Sequence, residues 1–306
     1  MAFIRTVCGD IAPENLGITL YHEHLLTRPP AHVSDPDFLM DSEDVAINEI
    51  KLFAAQGGRA IVEMTPPDYG RNHYGLQRLS QATGVHIIAV TGRIKEHFSG
   101  PLMTEWSIDQ LAEQMQRDIE IGIDGSAIRA GILKAGSSLN TITPAEERVF
   151  RAVARVHLAT GAPIATHTES GTMGLEQVAL LTSEGVPSER IIIGHVDHKL
   201  DWDYHLALLE TGVTIGYDQI GKEKYAPDSQ RAAFVARVVA AGYSKQLLLS
   251  GDIARRSNWP SYQPNGGSGL AHILGSFVPM LRNEGLDNAT IEQILVHNPA
   301  RLLAFS

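Results

Sequence analysis

Eight short apolar stretches, each followed by a segment of helical periodicity, restrict what this chain can fold into more than any other feature. They lie at 18–26 (ITLYHEHLL), 59–65 (RAIVEMT), 86–91 (HIIAVT), 128–135 (IRAGILKA), 163–168 (PIATHT), 191–196 (IIIGHV), 213–218 (VTIGYD) and 247–252 (LLLSGD). Their length, β-branched content and Gly or Pro borders mark them as buried strands. Strands alternating with helices build a parallel sheet wrapped by helices, and eight such units favour closure into a (β/α)8 TIM barrel. No Pro/Gly/Ser linker, low-complexity segment or internal repeat divides the chain, so a single α/β barrel domain over residues 1–306 is expected. The alternative is an open doubly wound sheet. No G-x-G-x-x-G follows a strand, which weighs against it.

The intervening helices carry their own punctuation. Pro29, Pro30 and Pro36 forbid a helix in the loop 28–40, and Ser42 then caps one expected to run to Gln56. Thr143, Pro144, Ala145 and Glu146 form a capping box with proline at the first helical position, and Gly161 ends that helix. Further helices are expected at 107–121, 173–184, 202–210 and 227–241, with a closing pair at 270–284 and 290–295.

Composition narrows the partners. A net charge of −10 argues against a nucleic-acid surface, which needs a basic face to meet phosphates. No apolar run approaches the ~18 residues of a membrane span, and the first residues are too short an apolar core for a signal peptide, so a cytoplasmic protein without a membrane partner is expected. The single Cys8 has no disulfide partner and is expected as a small apolar filler.

In such a barrel the active site lies at the C-terminal ends of the strands. Reading those ends gives His22 and His24, then Lys134, His167, His195 and Asp252. Period two in the first strand puts both of its histidines on one face and Glu23 on the other. Neutral imidazoles chelate zinc-like ions at about 2.0 to 2.1 Å. Each residue alone has a plainer explanation, such as a strand end in water or a cap on the next helix; their recurrence on five strands does not. The set exceeds what one tetrahedral ion takes, whereas two ions about 3.5 to 4 Å apart would use it and clamp a hydroxide between them. A lysine ammonium cannot ligate. Reaction of the Lys134 amine with carbon dioxide would give a carbamate, a carboxylate on a long stem that can bridge; a buried lysine paired to an acid is the alternative.

The motifs YHEH at 21–24, GILKAG at 131–136, THT at 166–168, GH at 194–195, SGD at 250–252 and HNPARLL at 297–303 together resemble the phosphotriesterase-like branch of the amidohydrolase superfamily. They occur in the family's order over nearly the whole chain. The resemblance implies a binuclear metal hydrolase with His22, His24 and Asp252 on the more buried ion and His167 and His195 on the outer one. It also implies Lys134 as the carboxylated bridge and Asp252 as proton acceptor. Zinc is the implied metal, with cobalt or manganese as alternatives.

Departures from the family bear on substrate. Where phosphotriesterases carry a second carboxylate and a histidine that help move the proton, the matching positions here are His198 and Gln219. Lactonase members commonly place an aromatic residue after the third strand, and this chain has Arg93 and Lys95. Positive charge takes their place: Lys222, Lys224 and Tyr225 follow the seventh strand, and Arg255 and Arg256 follow the eighth, ahead of Gly266, Gly267, Ser268 and Gly269. Loops at these positions frequently bind phosphate, and GKEKYAP also resembles members that open phosphorylated sugar lactones.

The expectation is therefore an enzyme that opens a small-molecule lactone bearing a phosphate or carboxylate, held by Lys222, Lys224, Tyr225, Arg255, Arg256 and Arg93. The sequence leaves the oligomeric state open, a homodimer among the options. Organophosphate hydrolysis and N-acyl-homoserine lactone hydrolysis are the alternatives within the family. A Schiff-base aldolase using Lys134 is a rival, but it leaves four strand-end histidines without work. A barrel that only binds a ligand is a third.

Overall fold

The computed structural model describes residues 2–263 and 266–305. The chain begins with a small antiparallel hairpin, β1 (Ile4–Thr6) and β2 (Gly9–Ile11), and an isolated bridge pairs Phe3 with Phe305 across the two chain ends. Cys8 is exposed in its turn, so it is not the buried filler expected.

Eight parallel strands follow: β3 (Thr19–Glu23), β4 (Ala60–Glu63), β5 (His86–Gly92), β6 (Ile132–Ser137), β7 (Ile164–Thr168), β8 (Ile191–Ile193), β9 (Thr214–Tyr217) and β10 (Leu247–Leu249). Each pairs with the next in chain order, and the His22 amide donating to Ser250 Oγ with the Asp252 amide donating to the His22 carbonyl brings the last strand back to the first. This is the expected (β/α)8 TIM barrel. Its core divides as such a barrel requires, with an inner cluster that includes Tyr21, Val62, Val90, Ile132 and Leu248, and an outer one between strands and helices. Burial on both faces explains why the strands read as continuous apolar runs rather than alternating ones.

Local signals were obeyed where side chains supply the bonds. Thr143 and Glu146 close the expected capping box on the helix Pro144–Thr160, and Gly161 ends it in the left-handed conformation at φ 70°. Ser42 caps Glu43–Ala55. Two expectations shift. Residues 128–131 approach the barrel as loop, and β6 begins only at Ile132. The closing helices are Val278–Asn283, Asn288–Glu292 and Asn298–Leu303, with wide π turns at Ile273–Phe277 and Gln293–His297. Pro279 and Pro299 each come one residue after these turns, behind Val278 and Asn298; each lacks the amide hydrogen an α-turn would use, and the wider turn accommodates the gap. Among the described residues, no helix is long and apolar enough to cross a membrane.

Candidate active site

The site starts from a bulge. Leu20 pairs with Ile61 but Glu23 with Glu63, so β3 carries one extra residue against β4 just where HEH begins. Bulges re-aim side chains at barrel rims. His22 and His24 reach the mouth, while Glu23, completely buried, turns to the loop after β10. Its Oε1 accepts from Ser250 Oγ at 2.6 Å and the Gly251 amide at 2.7 Å, and its Oε2 from the Ile253 amide at 2.9 Å. Burial raises the Glu23 carboxyl to about 7, opposed by these three donors. The clamped loop holds Asp252 at φ 44°, and His195 after β8 sits at φ 59°. Left-handed backbone is costly for residues with a Cβ and collects at functional sites, where surrounding bonds enforce it.

The strand-end residues converge. Ring centroids run His24 to His22 at 5.6 Å, His22 to His195 at 4.7 Å and His195 to His167 at 4.6 Å. Asp252 Oδ1 lies 3.3 Å from His24 Nε2 and 3.6 Å from His22 Nε2, and these three residues offer ligand atoms all within 4.8 Å of one another. Among the described residues, neither ring nitrogen of His22, nor Nε2 of His167, has a hydrogen-bond partner, though all are buried. Buried unpaired polar atoms cost about 1 to 3 kcal/mol each, a cost that ligating a cation removes. The remaining ring nitrogens are oriented. His24 Nδ1 faces Thr65 Oγ1 at 2.8 Å, and Thr65 in turn donates to Glu63 Oε1 at 2.5 Å. Since that hydroxyl proton is committed to Glu63, His24 carries its proton on Nδ1 and leaves Nε2 free. His195 Nδ1 is likewise held by Asp218 Oδ1 at 2.7 Å, which frees Nε2. Such outer partners are what metal-binding histidines need. Asp218, Glu63 and Glu23 were all missed by sequence reasoning, although Asp218 ends the seventh apolar stretch as Asp252 ends the eighth.

Electrostatics agree with a cation site. Burial, then the neighbouring Lys134, brings His22 down to about 3, and burial first lowers His24 to about 4 and His167 well below its ordinary value. His195 goes the other way, since the charges of Asp218 and Asp252 outweigh its burial. Lys134 is almost completely buried, and burial lowers its amine to about 8 against the pull of Asp252, Asp68 and Glu63. Its Nζ donates to the Met64 carbonyl at 2.8 Å. An amine near 8 keeps a useful neutral fraction, the form that adds carbon dioxide. Burial would raise Asp252, but Lys222 and the histidines hold it well below the carboxylate range. The donor set fits a divalent-cation site.

A cavity of about 290 Å³ opens over this cluster, and all six expected ligands line it. The residues expected to hold substrate divide. Lys222, Lys224, Tyr225 and Arg255 line the cavity. Lys222 sits at its floor, with Nζ 2.6 Å from Asp252 Oδ2 and 3.0 Å from Gln219 Oε1. Arg255 stacks 3.8 Å above Phe38 and pairs with Asp35 at 2.6 Å and Asp37 at 3.4 Å. Tyr225 packs on His198 at 4.3 Å, and Lys224 lies over the Tyr225 ring. Arg93 and Arg256 are not at the mouth. Arg93 is buried outside it, donating to the Gly92 carbonyl and Gln114 and lying over Trp106, because Gly92 at φ 120° turns the chain away as β5 ends. Arg256 donates to the Leu39 carbonyl and to Asp41. The glycine-rich segment is no anion cradle either: the amides of Gly266, Gly267 and Gly269 donate to the carbonyls of Gln263, Ser257 and Asn258. Lys95 does line the cavity, paired with Glu169 at 2.7 Å. An aromatic wall also appears, of Phe38, Tyr69 and Phe98 with centroids 5.2 to 6.1 Å apart. Phe38 and Tyr69 come from the loops after β3 and β4, and Phe98 from further along the loop after β5, the third barrel strand, where Arg93 and Lys95 stand.

A barrel with this His/Asp cluster at its C-terminal mouth defines the class of metal-dependent barrel hydrolases. The chain belongs to the phosphotriesterase family, whose model matches residues 2–303. It is 34% identical over 324 residues to a phospho-furanose lactonase of Mycoplasmopsis synoviae, an alignment covering 99% of this chain and 92% of that one. The crystal structure of a lactonase from Listeria monocytogenes superposes with a TM-score of 0.93 at 37% identity, covering 99% of each chain. The phosphotriesterase homology protein of Escherichia coli, solved with phosphate in its active site, gives 0.90 at 36% identity, covering 94% of this chain and 99% of that one. The protein is thus a hydrolase acting on ester bonds.

Proposed function

We propose that the protein uses two divalent cations, zinc foremost, to open an anionic lactone, with a phosphorylated sugar lactone the favoured substrate. The observation that carries the charge of the substrate is the cavity lining. Lys95, Lys222, Lys224 and Arg255 line it against two acid side chains, Glu169 and Asp252, in a chain of net charge −10. A locally positive mouth on an acidic protein draws anions to it. The phospho-furanose lactonase relative and the phosphate in the Escherichia coli structure support the same reading.

His22, His24 and Asp252 would hold one cation and His167 and His195 the other, with carboxylated Lys134 shared between them. Bound there, the pair supplies a hydroxide at neutral pH and polarises the ester carbonyl. Asp252 is placed to take the proton of the attacking water and return it to the leaving alkoxide. Its Oδ1 faces the histidines and its Oδ2 faces Lys222 and Gln219. Phe38, Tyr69 and Phe98 offer the apolar side of the ring a wall, and Lys224 and Arg255 stand outside as the anion's partners.

Kinetics on a phosphorylated sugar lactone and its unphosphorylated counterpart test this. Charge-assisted hydrogen bonds contribute on the order of 1.5 to 3 kcal/mol, so Lys224→Ala should lower kcat/KM roughly ten- to a hundredfold on the first substrate and much less on the second. Arg256→Ala, whose guanidinium faces Asp41, should leave both unchanged. Equal losses with Lys224→Ala, or wild-type preference for a neutral alkyl lactone, would refute the anionic substrate.

A further inference from the structure

We propose that Tyr21 is a positioning residue of the metal centre: its hydroxyl saturates Asp218 and so keeps that carboxylate out of the ligand set. The inference rests on the metal reading above. Two groups of residues at the mouth have ligand atoms within 4.8 Å of one another, and they compete for one histidine: His22 with His24 and Asp252, and His22 with His195 and Asp218. Only the first leaves Asp218 free to orient His195.

An ionised carboxylate offers about four acceptor positions. At Asp218 four donors are in place. Oδ1 accepts from His195 Nδ1 at 2.7 Å and from Gln219 Nε2 at 2.9 Å. Oδ2 accepts from the His195 amide at 3.1 Å and from the Tyr21 hydroxyl. His22 Nδ1 stands 3.4 Å from that same Oδ2, so Tyr21 occupies the oxygen through which Asp218 would join His22 as a ligand. Removing the phenolic oxygen frees one acceptor position facing a ligand histidine.

The barrel makes room for this contact from both sides. Tyr21 projects from β3 across the interior to β9, where the residue two before Asp218 is Gly216. A Cβ on Gly216 would lie 1.6 Å from the Tyr21 hydroxyl oxygen. The glycine is open for the oxygen, and both Tyr21 and Asp218 are at most 1% exposed. Packing alone would ask for a ring, not for a hydroxyl with a glycine opposite.

Tyr21→Phe removes that oxygen and nothing else. Cobalt(II) and zinc affinities would be measured by dialysis of the purified protein against graded chelator with elemental analysis, together with the cobalt(II) absorption spectrum and the thermal unfolding of the metal-stripped form. Outer-shell partners typically contribute 10- to 100-fold to metal affinity, so Tyr21→Phe should weaken one bound ion by that factor. The cobalt spectrum should change as Asp218 enters the coordination sphere. In an Asp218→Asn background the same substitution should change nothing further, because its route is through that carboxylate. Wild-type affinity and spectrum in Tyr21→Phe would overturn the proposal. So would an equal loss in both backgrounds, or an unfolding temperature of the stripped protein that falls enough to account for the loss, since either marks a packing role. If the wild-type protein takes up one ion only, the two-metal reading fails while the comparison of backgrounds still decides on that ion. If it takes up none, both fall.

Discussion

Glu23→Gln should disarm the site without touching a ligand. At pH 8, above the value of about 7 to which burial raises it, Glu23 is an acceptor for three donors in the loop that carries Asp252. A glutamine has one oxygen. In its better orientation it keeps Ser250 and Gly251 and sets its amide against the Ile253 N–H; in the other it loses two partners. The better case forfeits one charge-assisted hydrogen bond and leaves a buried donor unmet, together about 2 to 5 kcal/mol. Asp252, at φ 44°, is one residue from the released amide and keeps only its own amide bond to the His22 carbonyl and the contacts of Lys222 and Gln219 with its Oδ2 against that strain. A misplacement of about 1 Å costs on the order of a hundredfold in rate. The assay is kcat/KM on a lactone at pH 8, beside metal content and the urea midpoint of the metal-stripped protein. We expect a rate loss of about 10² or more, reduced metal content, and a lower midpoint. A Glu23→Gln protein with wild-type rate and metal content at pH 8 would refute the clamp, and would show that Asp252 is held by its own ligation instead.

Two further outcomes follow from the buried groups. His24 titrates at about 4 in the native chain against an ordinary 6.5, chiefly through burial, so the unfolded chain binds the extra proton between those values. This residue alone should cost the metal-stripped protein about 3 kcal/mol as pH falls from 6.5 towards 4, with His22 and His198 shifted in the same direction, while the buried acids Glu23, Glu63 and Asp197, raised to about 7, titrate in the opposite sense; the urea midpoint of the wild type should therefore fall relative to that of His24→Asn between pH 7 and 5, and a difference between the two that stays constant would contradict it. Lys134→Ala should lower metal occupancy as well as rate, and Lys134→Glu should restore part of both, read by elemental analysis with and without bicarbonate; one tightly held ion, indifferent to bicarbonate and to the substitution, would remove the bridging carbamate.

The barrel was legible because burial on both faces writes each strand as an apolar run, and the residues that gather at its mouth were legible because each is a polar residue ending such a run. Their supporting residues were not, for reasons that differ. Glu23 sits between two ligands on a strand where alternation assigns it to the far face; only the bulge at β3 and the returning β10 loop give it three donors. Tyr21 reads as apolar strand content, and its hydroxyl acquires meaning only across the barrel, opposite Gly216. Arg93 and Arg256 were misplaced because a basic residue after a strand end says nothing of where the chain turns next. Gly92 carries the one away, and Asp41, more than two hundred residues earlier in the chain, draws off the other. Short-range pattern finds what points into a site; pairing partners from distant loops decide what points out of it.

Lys222 shows what this does to mechanism. The sequence places it among cations for the substrate, yet its Nζ lies 2.6 Å from Asp252 Oδ2, with Gln219 donating to the same oxygen at 3.2 Å. Where the resemblance sets a histidine able to relay protons, this chain has an amide that cannot accept one and a cation that favours the ionised aspartate. A proton taken up by Asp252 therefore has no built path outward through Gln219, and the lysine presses it to leave. The remaining acceptor within reach is the leaving oxygen of the substrate itself. A lactone supplies such an oxygen, since its alkoxide is basic and stays tethered beside the carboxyl group. An aryl phosphotriester does not, since its phenolate departs unprotonated and leaves Asp252 to be cleared by solvent. On the proposed reading the loss of the relay is thus a smaller handicap for opening a lactone than for turning over phosphotriesters, and a preference for lactones is what one amide and one lysine would give.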